Sequence, residues 1–191
     1  IVVSQSMFFP WVGFLEQIKL ADIFVYYDDV PFSKGSFTNR VQLKGLQGPS
    51  WLTVPLKKVK LGETIEQISV KDKELWHSKH LSLLYNCYHR CVYYKDLEQV
   101  VEGVYDANHA TLASLSRASM MAILNYFNLQ NSCEFLDVRD LGITGKGSQR
   151  VLEIVKALNG PSYITGLGAR NYLDHDSFER QGIRVEYMVY Q

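Results

Sequence analysis

The chain opens on a short β-branched run, IVVS, that turns polar at Ser4, Gln5 and Ser6, the pattern of a buried first strand. Beyond the turn at Pro10, residues Trp11 to Ala21 set Val12, Leu15, Ile18 and Leu20 near helical spacing. Asp22 ends that run, and IFVYY follows as a second buried strand stopping at Asp28 and Asp29. Strand, loop, helix and strand within about 30 residues predict a βαβ unit with a parallel pair and a right-handed crossover. Ligands of such units sit beyond the carboxyl ends of the strands. Those ends carry Ser4, Gln5 and Ser6 on one side and Asp28 and Asp29 on the other.

The pattern changes after Phe32. Glycines at 35, 45, 48 and 62, prolines at 49 and 55, and the runs RVQLK, WLTVPL and IEQISV predict a β-meander or hairpin insertion over 32–70. Residues 72–128 read as mainly helical, with Leu75, Trp76, His80, Leu83 and Leu84 three or four apart, and Leu112, Leu115, Met120, Ile123 and Phe127 likewise. A strand near Glu134 to Val138 opens a C-terminal α/β part over 134–191. There the loop GITGKGSQR leads an amphipathic helix that a glycine ends at 160, SYIT runs into GLGAR, and IRVEYMVYQ alternates like a last strand. The whole predicts a single α/β domain over 1–191, a Rossmann-like parallel sheet started by the N-terminal βαβ unit. The last run stops inside a strand-like stretch and the first residue is not Met, so the chain reads as part of a slightly longer protein.

Composition narrows the function. Lys and Arg number 20 against 20 Asp and Glu, with no dominant basic block, which argues against a partner bound by neutralising nucleic-acid phosphates. No run approaches the roughly 18 apolar residues of a membrane span, and the start lacks the basic lead of a signal peptide. Cys87, Cys91 and Cys133 are too few and odd in number for a disulfide framework, so a reducing cytoplasm is expected. The neutral total hides local structure: Asp22, Asp28 and Asp29 gather near one strand, and Lys34, Arg40, Lys44 and Lys57 to Lys60 crowd the next segment. That pattern points to a small anionic ligand in a local cationic cleft.

The opening QSMFFPWVGF, then ADIFV, DDVPF, NR and WLTVP, resembles the WbqC-like family. The matching positions include Gln5, Phe8, Phe9, Pro10, Trp11, Gly13, Asp22, Asp29, Phe32, Asn39, Arg40, Trp51 and Pro55, and the GKGSQR and GLGARNYLD loops look alike too. Ser6 departs from the family's usual Pro. The resemblance implies a protein of bacterial surface-polysaccharide (O-antigen) biosynthesis that transfers amino or aminoacyl groups to sugars. The opening unit is also similar to the first βαβ of nucleotidylyltransferase-type folds. Those use a histidine pair in the first loop that this chain lacks, so nucleotidyl transfer is not expected, whereas nucleotide-sugar binding stays open.

Candidate residues follow from chemistry. For acid–base work the candidates are Asp28, Asp29 and His80: adjacent carboxylates at a strand end face opposite ways, and an imidazole titrates near neutrality. Gln5, Phe9, Trp11, Lys34, Asn39 and Arg40 are candidates to bind substrate, with Asn39 and Arg40 able to stabilise an oxyanion. Lys146, Ser148 and Arg150 in one loop, and Gly166, Gly168 and Arg170 in the other, suit a phosphate or carboxylate. The blander alternative is that Gly145 and Gly147 serve a turn and Ser148 caps the helix. No metal site is expected, because His80 lies two helical turns from Cys87 and the cysteines read as small hydrophobes. The expected protein is an acyl or aminoacyl transferase acting on an amino sugar, with a nucleotide-linked or thioester donor, no certain cofactor, and an acyl-carrier or biosynthetic enzyme as partner. The alternatives are a non-catalytic protein that binds a nucleotide-sugar or carrier-bound intermediate, and a hydrolase of an ester or amide.

Overall fold

The computed structural model describes residues 1–45, 47–131 and 133–189. In chain order the first elements are β1 (Val2–Ser4), α1 (Val12–Lys19), β2 (Ile23–Tyr26), β3 (Arg40–Gly45) and β4 (Gly48–Thr53). Then come α2 (His77–Tyr88), α3 (Tyr94–Asp106), α4 (Leu112–Tyr126), β5 (Glu134–Asp137), α5 (Gly147–Ala157), β6 (Ser162–Thr165), α6 (His175–Arg180) and β7 (Arg184–Tyr187). They form two compact units: Ile1–Gln5, Val12–Asp29 and Asn131–Gln191 make the first, and Ser6–Trp11 with Val30–Gln130 the second. The 32–70 and 72–128 stretches both lie in the second unit, and 134–191 lies in the first.

The first unit is built on a parallel sheet. β1 pairs with β2 and β2 with β5, all parallel, with Phe24 against Val2 on one side and Phe135 on the other. β6 and β7 form a second parallel pair. The nitrogen of Ile1 donates to the Ser162 carbonyl at 2.9 Å, and Ile164 N–H donates to the Ile1 carbonyl at 2.9 Å. One residue bonded to two residues two apart is the parallel pattern, so the strands run in the order β7-β6-β1-β2-β5. Both faces of such a sheet must be covered. Phe24 turns to α1, where the Phe14 ring lies 5.7 Å away. Val25 turns to the opposite core with Val151, Ile154 and Val155 of α5.

Two readings of this unit change. The buried face of α1 is Phe14, Leu15, Gln17 and Ile18, while Val12 and Leu20, at its ends, are exposed. Gln17 tolerates burial because its amide donates to the Ile164 carbonyl at 3.0 Å. The glycine at 160 does not supply the left-handed stop of α5: Asn159 does, at φ 53°. The N–H groups of Asn159 and Gly160 then bond the carbonyls of Lys156 and Val155, closing a Schellman-type end. Gly160 is required by close approach instead, since a Cβ there would run into the Ile1 side chain and Val155.

In the second unit β3 and β4 form an antiparallel hairpin with Arg40 opposite Thr53. The expected meander stops there. IEQISV makes only isolated bridges, Leu56 with Val70 and Ser69 with Thr111, beside Pro31 with Thr64. The reason lies in the spacing: Ile65 and Ile68 are both buried, and three-residue spacing cannot put them on one face of a strand. The three helices expected over 72–128 are α2, α3 and α4. Their core takes in Phe8 and Phe9, Leu52 and Val54 of the hairpin region, Trp76, Val104 and Leu112. Among the described residues no helix is long and apolar enough to cross a membrane. The predicted last strand reaches Tyr187, and its residues 190 and 191 lie outside the described residues.

Gly160→Ala is expected to lower stability by about 1–3 kcal/mol through overpacking against Ile1. Urea unfolding measures it, and a midpoint equal to wild type would show that Ile1 yields freely.

Candidate functional site

In the first unit, β1, β2, β5 and β6 are parallel, so the segments that follow them emerge at one end of the sheet. Gln5, Asp28 and Asp29, the 142–147 loop and the 166–170 turn are those segments. The chain leaves β1 for β2 on one side and later returns to β6 on the other. The carboxyl end of the β1–β6 junction is thus a topological switch point, the usual ligand position in open α/β sheets.

Asp28 is fully buried, and Asp29 reaches the end of β2 with its side chain 20% exposed. The partner of Asp29 is Arg150, in the first turns of α5. Nη1 donates to Oδ1 at 2.9 Å and Nη2 to Oδ2 at 2.6 Å, a two-armed pair across 121 residues. Arg150 Nε donates to the Ile143 carbonyl at 3.0 Å, and the guanidinium carbon lies 5.0 Å from the centre of the Tyr27 ring. Burial raises the Tyr27 phenol above its ordinary range, and the Arg150 charge opposes that rise. The guanidinium is therefore committed to holding Asp29 and the loop, and it orients α5.

The loop before α5 carries Gly145 at φ 114° and Gly147 at φ 61°. Ser148 does not cap α5. Its hydroxyl accepts instead from Asp174 N–H at 2.8 Å, and Lys146, at the cap position, makes no side-chain cap bond. The first N–H groups of α5 thus have no side-chain cap, and Lys146 is exposed beside them. After β6, Gly166 and Gly168 are followed by exposed Arg170. Neither glycine has a left-handed φ, and a Cβ on either would meet open space. Nothing inside the chain demands glycine at these two positions.

The remaining candidates lie in the second unit. Lys34, Asn39 and Arg40 line one cavity of about 800 Å³ together with Lys57 and Lys60. Asn39 is buried, its side-chain amide donating to the Val54 carbonyl at 3.1 Å while Val54 N–H donates to the Asn39 carbonyl at 2.9 Å, a clamp at the open end of the hairpin. The Arg40 guanidinium stacks on Trp51 at 4.1 Å and donates to the Gly35 carbonyl. Phe9 and Trp11 line a smaller cavity of about 390 Å³ with Met7, Phe37 and Val41. Phe9 sits at φ 44°, a strained conformation for an aromatic residue, fixed by its N–H donating to Ser119 Oγ at 2.9 Å. No local sequence signal couples residues 110 apart, so Ser119 was not legible.

His80 is also in the second unit, 6% exposed. The Thr53 carbonyl can only accept, so Nε2 carries the proton and donates to it at 3.0 Å, leaving Nδ1 to accept from the Tyr105 hydroxyl at 2.8 Å. Burial above all pushes the imidazole down to about 4, and it stays neutral at pH 7. Burial also drives the Tyr105 phenol far upward, which keeps it a donor. With both nitrogens bonded, His80 ties α2 to α3 and the hairpin. Among the described residues no three His, Cys, Asp or Glu side chains group to hold a metal ion.

Two outcomes are expected. Replacing Asp29 with Asn or Arg150 with Ala leaves a buried partner uncompensated and costs about 3 kcal/mol in urea unfolding. Arg150→Lys recovers little, because a point charge cannot bond both oxygens, and single variants within 0.5 kcal/mol of wild type (a rough experimental margin) would refute the coupling. For His80, the folded value near 4 lies below the ordinary 6.5. Between these values the unfolded chain binds a proton that the folded chain refuses, so stability is full above pH 6.5 and falls as pH drops toward 4, by on the order of 3 kcal/mol. Urea titrations at pH 7 and 4.5 should show that loss, and His80→Asn should remove its share of the slope.

The chain is similar to the uncharacterized protein Rv1507c of Mycobacterium tuberculosis (strain ATCC 25618 / H37Rv), 26% identical over 192 residues that cover 100% of this chain and 82% of that protein. No solved structure matches. The family model for WbqC-like proteins matches residues 5–191, from the FFPW opening through both glycine loops, and on that match the chain belongs to the WbqC-like protein family.

Proposed function

We propose that the chain is a transferase of bacterial surface-polysaccharide or related biosynthesis, which binds a nucleotide-linked amino sugar at the carboxyl end of its parallel sheet and moves an acyl or aminoacyl group onto the sugar amine. The observation that carries this reading is the reversal of strand order at β1, which makes the ends of β1 and β6, with Gln5 and the Gly166 turn, a topological switch point. The uncapped start of α5 supplies N–H donors and Lys146 a cation for phosphate, and Arg170 supplies a second. Glycine at 166 and 168, not required by the backbone, lets a ligand approach the main chain closely.

In this reading Arg150 is a positioning residue and Asp29 the base. Each Asp29 oxygen keeps a lone pair beyond its bond to Arg150. The proton of the sugar ammonium passes to Asp29, and the freed amine attacks the donor carbonyl carbon. The C–N bond forms, the bond to the donor's sulfur or other leaving atom breaks with its electron pair, and that leaving group takes up the second proton the nitrogen loses on becoming an amide. An acyl-carrier protein is a fitting source of a thioester donor. His80, with both nitrogens bonded, has no part in the step.

A second reading is a binding protein without transfer, favoured by the way Arg150 already engages both Asp29 oxygens. Incubating the protein with amino-sugar nucleotides and acyl or aminoacyl donors, and following mass gain on the sugar, separates the two. Transfer that falls about 100-fold or more in Asp29→Asn, at a temperature where the variant is folded, supports the enzyme. Tight calorimetric binding with ligand unchanged after long incubation supports the binding protein, and donor turnover without an acceptor would indicate a hydrolase.

A further inference from the structure

We propose that the cavity in the second unit is a binding site for an organic diphosphate. This does not rest on the function proposed for the sheet of the first unit. The cavity is about 800 Å³, within the range of about 300–1,000 Å³ that small-molecule sites occupy. Its charged lining residues are Lys34, Arg40, Lys57 and Lys60, with no Asp or Glu among them. Such an excess of one sign in a concave wall focuses the field and favours an anion, the more so the higher its charge.

The cations differ in commitment. Among the described residues neither the Lys34 nor the Lys60 ammonium pairs with a carboxylate, though the Lys60 backbone N–H donates to Glu63 Oε2 at 2.7 Å, and Lys57 reaches Asp72 only at 3.9 Å, with both side chains more than half exposed. A surface pair of that kind is worth about 0–1 kcal/mol and yields readily to a ligand. Arg40 is the fixed member: Trp51 holds the plane of its guanidinium and Gly35 takes one arm. Its Nε is buried and bonds to none of the described residues, a costly state for a charged donor. A planar fork beside mobile ammonium groups suits adjacent phosphoryl groups better than a single carboxylate. Besides Asn39 and Thr53, the rest of the wall, including Phe32, Val54, Pro55 and Leu56, carries no polar side chain and fits the organic part of the ester.

The diphosphate could be carried on a nucleoside or on a prenyl chain, and both present the same charged end. Isothermal titration calorimetry with inorganic pyrophosphate tests that end, and uridine diphosphate and farnesyl diphosphate in parallel arms distinguish the carriers. The expected result is saturable binding of pyrophosphate that weakens as NaCl rises, with the true carrier binding more tightly. Lys57→Gln/Lys60→Gln and, separately, Arg40→Gln should each weaken binding about tenfold or more, the loss expected for a charge-assisted hydrogen bond. Lys79→Gln, an exposed charge on α2 outside the cavity, should leave it unchanged. The lysines are exposed, so the double variant should keep its thermal midpoint. Failure of all three diphosphates to bind, or binding equal to wild type in the Lys57→Gln/Lys60→Gln protein, would overturn the proposal.

Discussion

Arg150 grips Asp29 with both arms of its guanidinium, and much of the first unit is arranged around that bond. Asp29 lies just beyond the end of β2 and Arg150 in the first turns of α5, so the pair locks the segment after a strand to a helix start across 121 residues. The same guanidinium holds the Ile143 carbonyl and faces the Tyr27 ring, which shapes the loop leading into α5. A partly buried charge pair is a weak source of net stability, since desolvation offsets most of the attraction. Its value is in orientation, because a planar fork admits one geometry. It places the uncapped N–H groups of α5 at the carboxyl end of the sheet.

The second unit solves a different problem. Its hairpin and three helices share a core into which Phe8 and Phe9 insert, and several of its buried polar side chains are matched one against another. His80 is the clearest case. An imidazole held neutral between a carbonyl and a phenol hydroxyl works as a strut, with one donor and one acceptor matched. Four cationic side chains of the same unit, Lys34, Arg40, Lys57 and Lys60, line one cavity.

The positions of many candidate residues were legible because they sit where local pattern puts them. Strand ends after IVVS and IFVYY identify Gln5, Asp28 and Asp29, and a glycine-containing loop before a periodic helix identifies the region of Lys146 and Arg150. The clustering of Lys34, Arg40 and Lys57 to Lys60 along the chain likewise anticipated a local cationic surface. Roles were less legible than places. Whether Asp29 binds a cation, whether Ser148 caps a helix, and whether His80 is available to a proton all depend on side chains 25 to 121 residues away. Periodicity reports which face is buried. It carries no information about which distant polar group meets that face.

The sequence by itself determined the parallel βαβ opening, the helical middle, the α/β close and the family, because each rests on local periodicity or on residues read in order. Only the tertiary structure decided that β6 returns beside β1, which creates the switch point. It also decided that Gly160 makes room for Ile1 while Asn159 ends the helix, and that IEQISV is bridged rather than paired as a strand. Most of all, it decided that a neutral chain gathers four cations around one cavity. The physical reason is common to these cases. Hydrophobic pattern specifies burial through short-range geometry, whereas ion pairs, close approaches and cavities are made by groups that only the folded chain brings together.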